Sequence, residues 1–162
     1  MLSTLGSRYK CIRMKKNDAV KLNCFNFTIT RNPYSRIVSC YNFLVGAEGF
    51  DIRHNTYKGM SFEEFVKVIC DTKDRDSNSH FKSLSEHHKI KGKLNYFNFV
   101  GKLENIEKDF KRILEILKVE DMEMYHRNKT NHKSWEEYYT DELKRMVYNR
   151  YKGDFKFGGY ER

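Results

Sequence analysis

The chain has 162 residues, and its 31 Lys and Arg against 22 Asp and Glu give a formal charge of +9 with neutral histidines. Apolar residues at 39% and aromatic residues at 15% are enough for a core in a single domain, so disorder is excluded as the main description, and no apolar run nears the about 20 residues of a bilayer-spanning helix. Residues 1–16 carry Arg8, Lys10, Arg13, Lys15 and Lys16 without the apolar stretch of a secretory signal, and the excess positive charge favours an anionic partner: nucleic acid, a nucleotide, or a sulfated or carboxylated glycan.

From Leu22 to Thr30 apolar and polar residues alternate, with Phe25, Phe27 and Ile29 on one face, and the pattern predicts a strand. Asn32 then stands where an N-cap belongs and Pro33 at the first helical position. Ile37, Tyr41, Leu44 and Val45 follow at helical spacing. Ser61 and Glu64 form a capping box for a second helix, whose Phe62, Phe65, Val66 and Ile69 make an apolar stripe while Lys67 faces outward. Residues 70–93 are polar and without periodicity, which predicts a long irregular segment holding His80, His87 and His88. Residues 96–100 predict a short aromatic strand, and residues 105–119 an amphipathic helix through Ile106, Phe110, Ile113, Leu114 and Leu117. A last helix is capped by Thr140, turns Leu143, Met146 and Val147 inward, and stops at Gly153. Strands alternating with helices imply an α/β fold with a parallel sheet. Two strands are too few for such a sheet with both faces covered.

Cys11, Cys24, Cys40 and Cys70 are widely spaced, with no pair at zinc-ligand spacing, so a structural zinc site is not expected. Two disulfides or four thiols fit the count equally well. Asn26-Phe27-Thr28 and Asn128-Lys129-Thr130 are glycosylation sequons that do not fix a compartment.

The informative stretch is R-N-P-Y-S-R-I-V-S-C-Y, residues 31–41. A strand ends at Arg31, a helix opens at Pro33, and Ser39 lies inside that helix. An anion placed there meets a helix N-terminus, a guanidinium and a hydroxyl, at the strand end where open α/β sheets bind ligands. Spacing alone leaves a second reading open, in which Arg31 is solvated and Ser39 bonds back to the preceding helical turn. Tyr34, Tyr41 and Phe43 read as core rather than as platforms for a base.

This stretch resembles the 3′-phosphate-binding motif of sulfotransferases that use 3′-phosphoadenosine 5′-phosphosulfate, in the form seen in the carbohydrate (type 2) family. Two further blocks are similar and in the same order: residues 98–106 with Asp109-Phe110, then Tyr138-Tyr139-Thr140, Tyr151, Asp154-Phe155 and Phe157-Gly158. The resemblance spans about residues 25–160. It implies a P-loop-like, three-layer α/β sulfotransferase fold and transfer of a sulfuryl group from the nucleotide donor to a carbohydrate hydroxyl, without a metal. It also implies that Arg31 and Ser39 hold the 3′-phosphate, that Lys129 and Thr130 lie in a late loop over the nucleotide, and that His80, in Asn78-Ser79-His80-Phe81, is the base on the acceptor side.

The family's first strand and its 5′-phosphosulfate loop, which carries a lysine, have no match in this chain. Ser3 and Thr4 stand as the tail of that loop, and the expectation is a partial domain over residues 1–162 whose activity depends on the missing lysine. A Golgi lumenal or membrane setting follows from the same likeness. Basic residues Lys82, Lys89, Lys91 and Lys93 around His87 and His88 would suit an acidic glycan. The rival reading is a noncatalytic basic module that binds nucleic acid or sulfated polysaccharide; it explains the charge but not three ordered motifs.

Overall fold

A computed structural model describes residues 24–47, 50–51, 56–89, 92–120, 122–124 and 133–162. The chain divides into two compact units, one formed by Met1–Thr30 and Lys89–Asn128, the other by Arg31–His88 and Lys129–Arg162.

In the first unit, strands β1 (Phe27–Thr30) and β4 (Phe99–Lys102) pair in parallel, Phe27 opposite Phe99 and Thr30 opposite Lys102. The pair starts where the Asn26 and Asn98 amides each donate across, to the Asn98 side chain at 2.8 Å and the Asn26 carbonyl at 2.7 Å. It ends where the Thr30 hydroxyl donates to the Gly101 carbonyl at 2.9 Å. Helix α4 (Ile106–Leu117) follows, and Asp109 fastens its first turns to the strand by accepting the Lys102 amide at 2.6 Å. Gly101 lets these side chains approach closely, for a Cβ would stand 2.7 Å from Ile29 Cδ1 and 3.1 Å from Asp109 Oδ2.

This parallel pair bears out the α/β class, and three details differ from expectation. The strand is shorter at its described end, and Phe27 is 44% exposed while Thr30 is buried. The Phe27 ring stacks on Phe25 at 6.0 Å, and the hydrogen bond to Gly101 removes the penalty for burying the Thr30 hydroxyl. The aromatic strand sits at Phe99–Lys102 rather than at residues 96–100, because Asn95 and Tyr96 form a turn, after which the Phe97 ring lies 4.3 Å from that of Tyr96. The earlier strand and loop expected near Ser3 and Thr4 lie outside the described residues.

The second unit is helical. Helix α1 (Pro33–Tyr41) runs into a π-helical turn, Asn42–Ala47; a two-residue antiparallel ladder joins β2 (Phe50–Asp51) to β3 (Thr56–Tyr57). Then come α2 (Phe62–Asp71), short α3 (Leu84–His88), α5 (Asp141–Arg150) and α6 (Lys152–Gly158). The expected caps form: Ser61 and Glu64 close the capping box, and the Thr140 hydroxyl accepts the Leu143 amide at 3.3 Å. Ile37, Val38, Phe65, Val66, Ile69, Phe81, Val147 and Tyr151 are fully buried together, and burying each aliphatic or Phe side chain stabilises by about 1.5–3 kcal/mol. Tyr34 lies among Trp135, stacked at 5.3 Å, and the edges of Tyr139 and Phe155 at 5.2 and 5.0 Å.

Gly153 does not stop the last helix. α5 ends at Arg150, its C-cap Tyr151 leaving the helix with ψ 24°, and Gly153 lies within α6, where a Cβ would collide with the Ser85 hydroxyl. The αL residue that caps the chain's end is Gly159, with φ +62°. Residues 70–93 are not a free loop either, for they contain α3 and bury Phe81, Ser83 and Ser85. Cys40 and Cys70 carry free thiols, and burial pushes the Cys70 thiol up to about 12. No described helix is long and apolar enough to cross a membrane.

Candidate anion-binding site

Helix α1 opens as its sequence requires. The Asn32 side chain accepts the amides of Tyr34 at 2.9 Å and Ser35 at 3.4 Å, and Pro33, which has no amide hydrogen to satisfy, takes the first helical position. Tyr34, Ile37, Val38 and Cys40 turn into the core, which leaves Ser35 and Ser39 half-buried at i and i+4 on the remaining face.

Arg31 lies against that face. Its Nε donates to the Ser35 hydroxyl at 3.0 Å, so the side chain runs along the first helical turn. The Arg31 charge also reaches Cys40, the neighbour of Ser39: burial raises the Cys40 thiol, and the charges of Arg36 and then Arg31 partly offset that rise. Ser39 stands one turn beyond Ser35, about 6 Å along the axis at 1.5 Å per residue. No hydrogen bond to its hydroxyl forms among the described residues, and this argues against the reading in which Ser39 is bonded back to the preceding turn. Arg31, Ser35 and Ser39 thus form a cation and two hydroxyls in one line. Ser35 was not singled out by motif, although its spacing from both partners is visible in the sequence.

His80 lies at the far end of the same helix. The Cys40 thiol donates to the His80 carbonyl at 2.8 Å, and the His80 ring lies 4.9 Å from the Phe43 ring, in the π-helical turn one helical turn beyond Ser39. The Asn78 side chain accepts the His80 amide at 2.9 Å and holds the turn that presents an exposed imidazole. Phe43 is therefore not core but 39% exposed as the surface on which His80 rests. Lys129, Thr130, Ser3 and Thr4 lie outside the described residues.

The family profile described as the sulfotransferase family matches residues 6–161. The chain belongs to the sulfotransferase family. No curated protein and no solved structure matches it. Family membership makes the chain a transferase of the sulfuryl-group class, whose members generally take sulfate from 3′-phosphoadenosine 5′-phosphosulfate. Among the described residues no three His, Cys, Asp or Glu side chains converge as metal ligands.

Proposed function

We propose that the chain transfers a sulfuryl group from 3′-phosphoadenosine 5′-phosphosulfate to a carbohydrate hydroxyl. The observation that carries this reading is the half-buried line of Arg31, Ser35 and Ser39 along α1. In it, Arg31 and Ser39 bind the donor's 3′-phosphate, with Ser35 holding the guanidinium against the helix. Lys129 and Thr130 close over the nucleotide, and Ser3 and Thr4 belong to the loop that receives its 5′-phosphosulfate.

The acceptor oxygen attacks sulfur, the bond from sulfur to the bridging oxygen of the 5′-phosphate breaks, and 3′-phosphoadenosine 5′-phosphate departs with the electron pair. The acceptor proton goes to a ring nitrogen of His80 acting as general base. As in phosphoryl transfer, catalysis rests on positioning and on neutralising charge at oxygens, so the 3′-phosphate anchor acts by fixing the donor. A Golgi lumenal setting accords with carbohydrate acceptors.

The test follows labelled sulfate from the donor into a panel of sugar and glycosaminoglycan acceptors. The expected result is transfer to at least one acceptor, abolished in Arg31→Ala and reduced by about 10²–10⁴-fold in His80→Gln, the range of a lost general base. Transfer that is unchanged in Arg31→Ala overturns the assignment of the anchor.

A further inference from the structure

Six consecutive residues, 80–85, each have one backbone polar group held by a side chain from elsewhere in their unit. The carbonyls of His80, Phe81 and Lys82 accept from Cys40 Sγ at 2.8 Å, the Tyr151 hydroxyl at 2.7 Å and Arg36 Nη1 at 2.8 Å. The amides of Ser83, Leu84 and Ser85 donate to Asp74 Oδ1 at 3.0 Å, Asp154 Oδ2 at 2.9 Å and Asp154 Oδ1 at 2.8 Å. Cys40 and Arg36 of α1, Asp74, Tyr151 at the α5–α6 junction and Asp154 of α6 thus hold the irregular residues 80–83 and the first two residues of α3.

Asp154 is the centre of this arrangement. Beyond the two amides, its carboxylate accepts the Ser83 hydroxyl at 2.7 Å and Arg36 Nη2 at 2.8 Å, making four donors on a side chain 3% exposed. Arg36 is itself buried, its guanidinium 5.1 Å from the Tyr151 ring centroid. A buried ion pair is weak evidence for stability, because apolar side chains of similar volume serve a core equally well. Arg36 Nε is buried without a partner, but the Asp154 carboxylate is saturated by its four donors, and such a hub fixes geometry because each donor has one place to go. The geometry fixed here is that of the segment bearing His80 relative to α1, which bears Ser39.

We propose that Asp154 is a positioning residue for His80: its carboxylate, through Arg36 and the 83–85 backbone, holds the imidazole over Phe43 at the end of the α1 face. Asp154 touches neither donor nor acceptor. The proposal rests on the reading of His80 as the base, and its test therefore reads where the imidazole sits rather than turnover.

The test compares the full wild-type chain with Asp154→Asn at a temperature where circular dichroism shows both folded. The first readout is the His80 imidazole resonance, assigned with His80→Gln and shifted in wild type by the Phe43 ring current, as Phe43→Leu verifies. The second is alkylation of Cys40, whose thiol is covered while it bonds to the His80 carbonyl, with Cys70 in the same protein as the control for general loosening. In Asp154→Asn the ring-current shift is lost and Cys40 reacts at least about tenfold faster, while the Cys70 rate changes by less than about twofold, as expected for a local opening. An unchanged His80 resonance and Cys40 rate, with only a lower unfolding temperature, overturns the proposal. Equal acceleration of both thiols overturns it too. If Asp154→Asn does not fold, Ser83→Ala removes one of the four donors and leaves the ion pair; a faster Cys40 with unchanged Cys70 supports the proposal and no change overturns it. Failure of the base assignment is separately visible as unchanged turnover in His80→Gln.

Discussion

Ser35 and Ser39 have the same hydroxyl, the same helix face and different tasks. Ser35 accepts from Arg31 Nε, so in the proposed site its contribution to an anion would pass through the guanidinium, whereas the Ser39 hydroxyl, with no hydrogen bond among the described residues, would be the direct donor. Ser39→Ala therefore removes a hydrogen bond to a charged phosphate, about 1.5–3 kcal/mol, and weakens 3′-phosphoadenosine 5′-phosphate by about ten- to a hundredfold. Ser35→Ala removes a hydroxyl that only orients Arg31, about 1 kcal/mol and about fivefold. Titration calorimetry of the two variants checks the order, and a larger loss in Ser35→Ala contradicts these roles. Asn32 acts earlier still, on the helix: Asn32→Ala leaves the Tyr34 and Ser35 amides without their acceptor and costs about 1 kcal/mol, read as a lower denaturation midpoint.

At the scale of elements, short-range rules wrote the visible parts. The Asn32-Pro33 start of α1, the Ser61 and Glu64 capping box and the Thr140 cap all depend on residues within one helical turn, and each stands where spacing put it. The R-N-P-Y-S-R-I-V-S-C-Y stretch stands out by its resemblance to a family motif, since spacing alone leaves its role open. What spacing could not show is the segment around His80, because its partners Cys40, Arg36 and Asp154 lie 40, 46 and about 70 residues away in sequence. Gly153 was misread by the same limit: a glycine near a helix end predicts a stop, but here its lack of a Cβ admits the Ser85 hydroxyl between α6 and α3. Gly153→Ala should therefore destabilise the chain by about 1–3 kcal/mol, as overpacking does, rather than lengthen a helix. An unchanged unfolding temperature would show that the Ser85 contact yields without strain.

For the molecule as a whole, acid stability depends on a second carboxylate. Burial raises Asp74, but the hydrogen bond from Arg150 Nη2 at 2.7 Å, the Ser83 amide and the Arg150 charge together draw it below the ordinary value. A carboxylate depressed in the folded state stabilises fully above its unfolded pKa of about 3.9, and that contribution is lost as pH falls through the lower folded value. The gap in unfolding temperature between wild type and Asp74→Asn is thus expected to be widest near neutral pH and to close below about pH 4. A gap that widens in acid contradicts this sign. The excess of basic residues would draw any polyanion, and in the proposed function it is Arg31 with Ser39 that would select a phosphate at one place.

The central claim is that this face of α1 binds the 3′-phosphate of the sulfate donor. Calorimetric titration of the full chain with 3′-phosphoadenosine 5′-phosphate, against adenosine 5′-phosphate as the control that lacks this group, tests it most directly. The account predicts binding of the first nucleotide at least about a hundredfold tighter than the second, with the difference removed in Arg31→Ala, as loss of a charge-assisted contact requires. Equal affinity for the two nucleotides, or a preference that survives in Arg31→Ala, contradicts it.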